Sequence, residues 1–248
     1  MKVLSTLALS ASFLAVASCA QADPQTVSDT QSDRAVLEAM SEQSLIDFLV
    51  DNPTLLRDAI IAYEDKQTAE LLASLHDDLY NNPADTSVGP ADAKVTIVEF
   101  FDYNCGYCKR STEWLKQVME TYPDDVRIVF KELPLLDART KTSRNAAKAA
   151  LAAARQGKYL DMHFALMEAR GLTAERIDTI AEEHGVNVSK MRAEMQTTEL
   201  NQHLEDTTRL ARQIPQLNGT PFFIIGDQFM AGANEERLQQ LLDDALDG

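Results

Sequence analysis

The sequence predicts an α/β fold with a helical insertion, preceded by an N-terminal helical segment, and three patterns carry that expectation. A β-branched run, Val95-Thr96-Ile97-Val98, leads into a turn with two cysteines and then into apolar residues at helical spacing, Trp114, Leu115, Val118 and Met119. Two later strand signals, residues 126–130 and 222–225, are separated by a stretch, about 137–217, that shows only helical periodicity. Upstream, apolar residues recur at helical spacing from Leu45 to Leu79.

Residues 1–22 read as an export signal: Lys2, an apolar core from Val3 to Val16, then small residues. The run is too short and too early for a spanning helix. Ala20-Gln21-Ala22 before Asp23 fits ordinary cleavage, the favoured route, which would leave a periplasmic protein. Val16-Ala17-Ser18-Cys19 also resembles a bacterial lipobox, in which Cys19 would become the lipidated first residue of an anchored form.

Residues 23–82 form a tether and a helical segment. The first ten are polar and lack periodicity. Then come Leu45, Phe48 and Leu49, next Leu56, Ile60 and Tyr63, next Leu72, Leu75 and Leu79, with a break at Asn52-Pro53 and an end at Asn81-Asn82-Pro83. About three short helices are expected, too few for a core of their own. They either fold back on the downstream domain or pair with copies of themselves through residues 33–80. Residues 83–92, with Asp85-Thr86-Ser87 and Gly89-Pro90, read as a linker, leaving 93–248 as one domain.

Within that domain the turn Tyr122-Pro123-Asp124-Asp125 brings the chain back for a second strand, parallel to the first by the usual right-handed crossover. The insertion, about 137–217, reads as successive helices over 146–154, 159–169, 173–183, 189–195 and 199–213, with Gly157, Gly171 and Gly185 between them and Thr173 as an N-cap. Phe222-Phe223-Ile224-Ile225, a Gly226-Asp227 turn and Gln228-Phe229-Met230 read as a hairpin, and Asn234 caps a last helix to Leu246.

Chemistry concentrates at Cys105-Gly106-Tyr107-Cys108. A cysteine in the first turn of a helix meets unpaired backbone N–H groups at the positive end of the macrodipole, which favours its thiolate. Cys105 is the expected nucleophile. Cys108, about one helical turn on, lies on the same face and within bonding reach, so the pair forms a redox-active disulfide. A zinc site lacks further ligands, because no second Cys pair exists and His76, His163, His184 and His203 show no ligand spacing. Haem attachment would need His where Lys109 stands, and a purely structural disulfide closing so small a loop would stabilise little. No cofactor or metal is expected. His163 reads as a packed or surface side chain on an amphipathic helix. The chain has 248 residues, 45% hydrophobic, ample for a packed core. Its formal charge of −16, with no basic cluster, excludes nucleic acid as a partner and suits cationic or unfolded chains.

Glu99-Phe100-Phe101-Asp102-Tyr103-Asn104-Cys105-Gly106-Tyr107-Cys108, with Thr220-Pro221 far downstream, resembles the active-site elements of the thioredoxin superfamily, in its DsbA-like branch. The likeness runs from about Val88 to the end. It implies a thioredoxin-like fold and thiol-disulfide exchange on cysteine-containing exported proteins, with a membrane redox partner that recycles the dithiol. It further implies that Pro221 is cis, that the backbone of Thr220 beside it pairs with substrate, and that Glu99 is the buried acid able to exchange a proton with Cys108. The competing reading pairs a half-buried Glu99 with Lys131. ScsC-like relatives with such an N-terminal extension can self-associate through it, which favours an oligomer. Thr220 before the proline resembles isomerases, and Gly106-Tyr107 departs from the Pro-His of the prototype oxidant, so shuffling is slightly favoured over pure oxidation. A copper- or zinc-binding dithiol protein and a non-enzymatic lipoprotein scaffold are the alternatives.

Overall fold

The computed structural model describes residues 41–248; the export signal, the tether and the lipobox Cys19 lie outside them. Two compact units meet in sequence at Ile61 and Ala62. The first contains helix α1 (Glu42–Asp51), opened by Ser41, whose hydroxyl accepts from the Ser44 amide at 3.2 Å, and closed where Asn52 precedes Pro53. Pro53 then opens α2 (Pro53–Ser74), a position where its missing N–H costs nothing. Ile46, Phe48, Val50, Leu55, Leu56, Ile60 and Ile61 on these helices are exposed.

The second unit is built on a five-stranded sheet: β1 (Thr86–Val88), β2 (Val95–Phe101), β3 (Val126–Glu132), β4 (Phe222–Ile225) and β5 (Gln228–Ala231), in the order β1-β3-β2-β4-β5. Only β2 and β3 are parallel, aligned from Val95 opposite Val126 to Phe101 opposite Glu132. Helix α3 (Gly106–Thr121) is their crossover, as the sequence predicts. Central strand β2 is buried on both faces and so reads as an almost unbroken apolar run.

The expected insertion is present as α4 (Asp137–Thr140), α5 (Ser143–Ala154), α6 (Tyr159–Glu168), α7 (Ala174–Glu183), α8 (Val188–Glu194) and α9 (Thr198–Ala211). Two of these helices have hydrogen-bonded side-chain N-caps: Thr173 accepts from the Arg176 amide at 3.1 Å and Asn187 from the Lys190 amide at 2.8 Å. Alanines along α5 are buried, their small side chains letting α6 and α8 approach closely. The hairpin turns at Gly226 (φ +59°), and Asn234 caps α10 (Glu235–Asp247) by accepting from the Arg237 amide at 3.0 Å.

Alternation along the sheet makes two apolar layers. Ile97, Phe101, Ile128 and Phe130 face a layer made by α3, the insertion and α10, while Val98, Phe100 and Val129 face a second layer. That second layer contains Leu72 and Leu75, Leu79 from a π-helical turn (Asp77–Asn81), and Leu210 and Ile214.

Three sequence expectations need correction here. The helical segment is not about three short helices, since α2 runs 22 residues. Its tail belongs to the second unit, because Leu72, Leu75 and Leu79 cover the sheet, whereas most of the large apolar residues before Ala62 stay exposed. The stretch read as a linker carries β1, with Thr86 opposite Phe130, Ser87 opposite Val129 and Val88 opposite Ile128. A three-residue edge strand among polar residues leaves no periodicity to read. Gly89 then turns the chain at φ +97°, where a Cβ would lie 2.2 Å from the Val126 carbonyl oxygen, so its glycine is required by contact as well as by backbone angle.

Candidate active site

Strand β2 delivers the chain to a loop in which three consecutive side chains are tied down. Asp102 accepts from the Asn104 amide at 2.8 Å, the Leu136 amide at 2.8 Å and the Ser143 hydroxyl at 2.7 Å. The buried Tyr103 hydroxyl donates to Glu132 Oε1 at 3.0 Å, and the Asn104 amide donates to the hydroxyls of Thr142 at 3.1 Å and Ser143 at 2.9 Å. The Cys105 amide closes the turn on the Asp102 carbonyl at 2.9 Å, and Cys105 takes the N-cap position of α3 (φ −81°, ψ 116°). Cys105 is therefore held from the side that precedes it.

Both cysteines are free thiols, Cys108 fully buried and Cys105 8% exposed. As a thiol, Cys105 Sγ donates to the Thr220 carbonyl at 3.0 Å, and the Thr220–Pro221 bond beside it is cis. As a thiolate it would accept from the Cys108 thiol, from the Thr220 hydroxyl and from the Cys108 and Tyr107 amides. These push its pKa down to about 5 against the opposing effect of burial, with the Cys108 thiol the largest contributor. The helix-mouth amides, expected to dominate, come after it. Cys108 is held well above the ordinary thiol range by burial and by its own bond to Cys105. The two sulfurs thus differ in acidity, Cys105 favouring the thiolate and Cys108 the thiol.

Glu99 lies behind them, 1% exposed, its pKa pushed up to about 8 by burial despite a 3.4 Å bond from the Ser111 hydroxyl to Oε1. Its other oxygen has no partner. The alternative pairing with Lys131 does not form. The strand register sets Glu99 beside Phe130, and Lys131 reaches the opposite layer, where Nζ meets the Asp85 carboxylate and the Asp78 carbonyl. Lys109, next to the dithiol, is not free to add charge at the surface either. Its ammonium donates to the carbonyls of Leu166 (3.0 Å), Met167 (3.0 Å) and Ala169 (2.7 Å), closing the C-terminal end of α6.

The outer face of the site is a cleft of about 470 Å³ lined by Tyr107, Arg110, Thr220, Gly232 and Asn234, with the Arg110 guanidinium 4.9 Å from the centre of the exposed Tyr107 ring. Among the described residues no group of three or more His, Cys, Asp and Glu side chains is placed to hold a metal ion. No described helix is long and apolar enough to cross a membrane. His163 is packed in the core, as expected of a helical histidine, against Phe101 and Phe130.

The fold thus gathers Cys105, Cys108, Glu99, Thr220 and Pro221, residues spread across about half the chain. Sequence reading missed the anchors Asp102, Tyr103 and Asn104. The first left a signal: an Asp two residues before an Asn, after a strand, is the pattern of a side chain accepting from the backbone two residues on. Tyr103 left none, because its partners Glu132 and His163 come from distant elements.

Residues 96–245 match the family described as DSBA-like thioredoxin domain. A thioredoxin-like oxidoreductase from Silicibacter pomeroyi superposes with a TM-score of 0.64 at 36% identity, covering 69% of this chain and 98% of that one. A linker-deletion variant of Proteus mirabilis ScsC superposes with a TM-score of 0.64 at 29% identity, covering 93% of this chain and 99% of that one. Among curated relatives, the Na(+)/H(+) antiporter NhaA 1 of Salinispora arenicola is 29% identical over 170 residues, 64% of this chain and 24% of that protein. The chain spans about a quarter of the length of that relative. The fold agrees with these likenesses, and the chain belongs to the DSBA-like thioredoxin domain family.

Proposed function

We propose that the chain is an exported thiol-disulfide oxidoreductase acting on protein disulfides, with Cys105 as nucleophile and Cys108 as the resolving thiol. The observation that carries this reading is the pair of sulfurs with opposite acidities, the more acidic one 3.0 Å from the Thr220 carbonyl beside cis-Pro221. The Cys105 thiolate attacks one sulfur of a substrate disulfide, forming a mixed disulfide and releasing the other sulfur as a thiolate. If another substrate thiolate attacks the mixed disulfide, Cys105 is regenerated and the substrate is reshuffled with no net electron transfer. If Cys108 attacks instead, it loses its proton, forms the Cys105–Cys108 disulfide and releases the substrate thiolate, so the substrate gains two electrons. Run backwards, the same steps oxidise a substrate dithiol, and a membrane redox partner would restore the starting state. Glu99, buried with a pKa near neutrality and one unpartnered oxygen, would take the Cys108 proton.

Substrate polypeptide would enter over the Thr220–Pro221 edge and the Tyr107–Arg110 cleft. Reshuffling is favoured over one-way oxidation by Thr220 before the proline and by Gly106-Tyr107 between the thiols. The exposed apolar residues of α1 and early α2 support self-association of the N-terminal helices, which would bring several dithiols to one substrate. Refolding of a scrambled-disulfide protein tests the central claim. Wild type should restore activity, Cys105→Ser should lose it by at least about a hundredfold, and Cys108→Ser should accumulate a mixed disulfide visible on a non-reducing gel. Equal rates for wild type and Cys105→Ser would end this reading.

A further inference from the structure

A closed polar cluster lies behind the dithiol and takes no part in the exchange steps. Tyr103, two residues before Cys105, is 1% exposed, with its hydroxyl 3.0 Å from Glu132 Oε1 and 3.0 Å from His163 Nδ1. The Tyr159 hydroxyl donates to the same Glu132 oxygen at 3.0 Å. Glu132 is 1% exposed and His163 fully buried, and each keeps a buried atom without a partner, Glu132 Oε2 and His163 Nε2.

Burial holds Glu132 well above the usual carboxylate range, and one arrangement of protons fits the distances in the cluster. A phenol has one hydrogen, so when Tyr103 gives it to Glu132, its oxygen must accept the N–H of His163 Nδ1. Burial pushes the His163 pKa down to about 3, so the ring is neutral, and in this arrangement its one proton sits on Nδ1. Tyr103 is thereby held from two elements at once, β3 through Glu132 and α6 through His163. Lys109 ties the other end of α6 to the first turn of α3, so the helix grips the dithiol segment both before and after the cysteines.

Apolar packing alone would be better served without these groups. A phenylalanine at 103 could keep the edge-on contact with Phe101, now at 5.2 Å between ring centres, and would bury no hydroxyl. Burying a carboxyl and an imidazole that each leave one atom unpaired costs free energy, which a purely structural site has no reason to sustain. Polar groups kept against packing preference beside a reactive sulfur are the mark of a positioning role.

The geometry points to Tyr103, held by Glu132 and His163, as a positioning unit that fixes where Cys105 sits against the Cys108 thiol and the Thr220 hydroxyl, and thereby sets the reactivity of Cys105. The inference rests on the exchange chemistry proposed above and deepens it. With the tie cut, Tyr103 no longer pins the middle of the 102–104 turn, and the Cys105 sulfur loses the alignment that favours its thiolate.

The experiment compares the full-length chain with Tyr103→Phe, Tyr159→Phe and Glu132→Gln, each checked for folding by its melting temperature. Tyr103→Phe and Tyr159→Phe remove one hydrogen bond each from the same Glu132 oxygen, but only Tyr103 belongs to the dithiol loop. Thiolate absorbance near ~240 nm follows the ionisation of reduced Cys105, and equilibration with glutathione gives the dithiol–disulfide constant. Tyr103→Phe should raise the Cys105 midpoint by about one pH unit and change the glutathione constant about tenfold. Tyr159→Phe, and Glu132→Gln with its accepting oxygen kept, should stay within about twofold of wild type. Should Tyr103→Phe fail to fold, Glu132→Leu carries the same expectation, because it removes the acceptor of the Tyr103 hydroxyl. A wild-type midpoint in Tyr103→Phe, or an equal shift in Tyr159→Phe, would overturn the positioning unit while wild type still reshuffles disulfides. Loss of reshuffling in wild type itself would instead strike the proposed function.

Discussion

At the scale of single residues, Cys105 and Glu99 give the reduced protein opposite pH dependences. Glu99 has its folded pKa raised from 4.5 to about 8, so its contribution is fully present below about pH 4.5 and is lost as pH rises through about 8. Cys105 is the reverse: lowered from 9.0 to about 5, it contributes fully above about pH 9, and that contribution is lost as pH falls through about 5. Glu99→Gln removes the first effect. The reduced variant should gain on wild type as pH rises from about 4.5 to about 8, on the order of 4 kcal/mol at the upper end, in denaturant unfolding at stepped pH. A constant difference across that range would mean that Glu99 is already ionised at low pH. The place of Cys105 at a helix start was legible in the sequence because helix-start signals are local. The acidity ranking was not, since the largest contribution to Cys105 comes from the Cys108 thiol and another from Thr220, 115 residues away.

At the scale of elements, the segment between α2 and β2 shows why composition misled. Pro, Asp, Ser and Gly there resemble a loose connection, yet Asp85 within it is the buried partner of Lys131, with side chains 2% and 1% exposed. His203 Nε2 stands 3.4 Å from the other Asp85 oxygen, and burial pushes its pKa down to about 4, so the imidazole is neutral at pH 7. Burial pushes Asp85 up to about 6 and Lys131 down, which says that removal from water outweighs the attraction between them. Such a pair adds little when intact and is costly when halved. Asp85→Ala should therefore lower stability by about 3–5 kcal/mol, read from chemical denaturation. Gly89→Ala, four residues on, should cost more than about 2 kcal/mol, because backbone strain and the Val126 carbonyl both oppose a methyl group. The longer helices of the insertion were readable because each carries its own period, and α7 and α8 also their own side-chain caps, whereas the four-residue α4 has neither and β1 borrows its existence from β3.

Across the whole molecule, the two compact units set where the chain can be shortened. A chain beginning at Ser87 would lose Asp85, the first residue of β1 and the Leu72, Leu75 and Leu79 cover of the sheet, and should not fold cooperatively. One beginning at Ala62 keeps all of these and should retain the dithiol chemistry, while shedding Ile46, Phe48, Leu55 and Leu56. Sedimentation of the two lengths tests the assembly proposal directly: the full chain should be larger than a monomer and the Ala62 chain monomeric. A monomeric full-length protein would remove the case for pairing through the N-terminal helices. The sequence showed that these helices carry more apolar surface than they can bury among themselves. It could not show that the tail of α2 is already occupied by the sheet, because coverage depends on a surface assembled from β2, β3 and β4.

Trp114 is the chain's single tryptophan, 3% exposed, six residues after Cys108 on the same helix. Its ring packs edge-on against Phe223 at 5.8 Å, and its indole N–H donates to Gln239 at 3.0 Å. The molecule therefore carries a built-in fluorophore wedged between the dithiol helix and the strand that comes after the cis-proline. Its emission should be blue-shifted in the native state, move to the red on denaturation, and change in intensity when the neighbouring thiols are oxidised, giving an unlabelled optical clock for both folding and turnover.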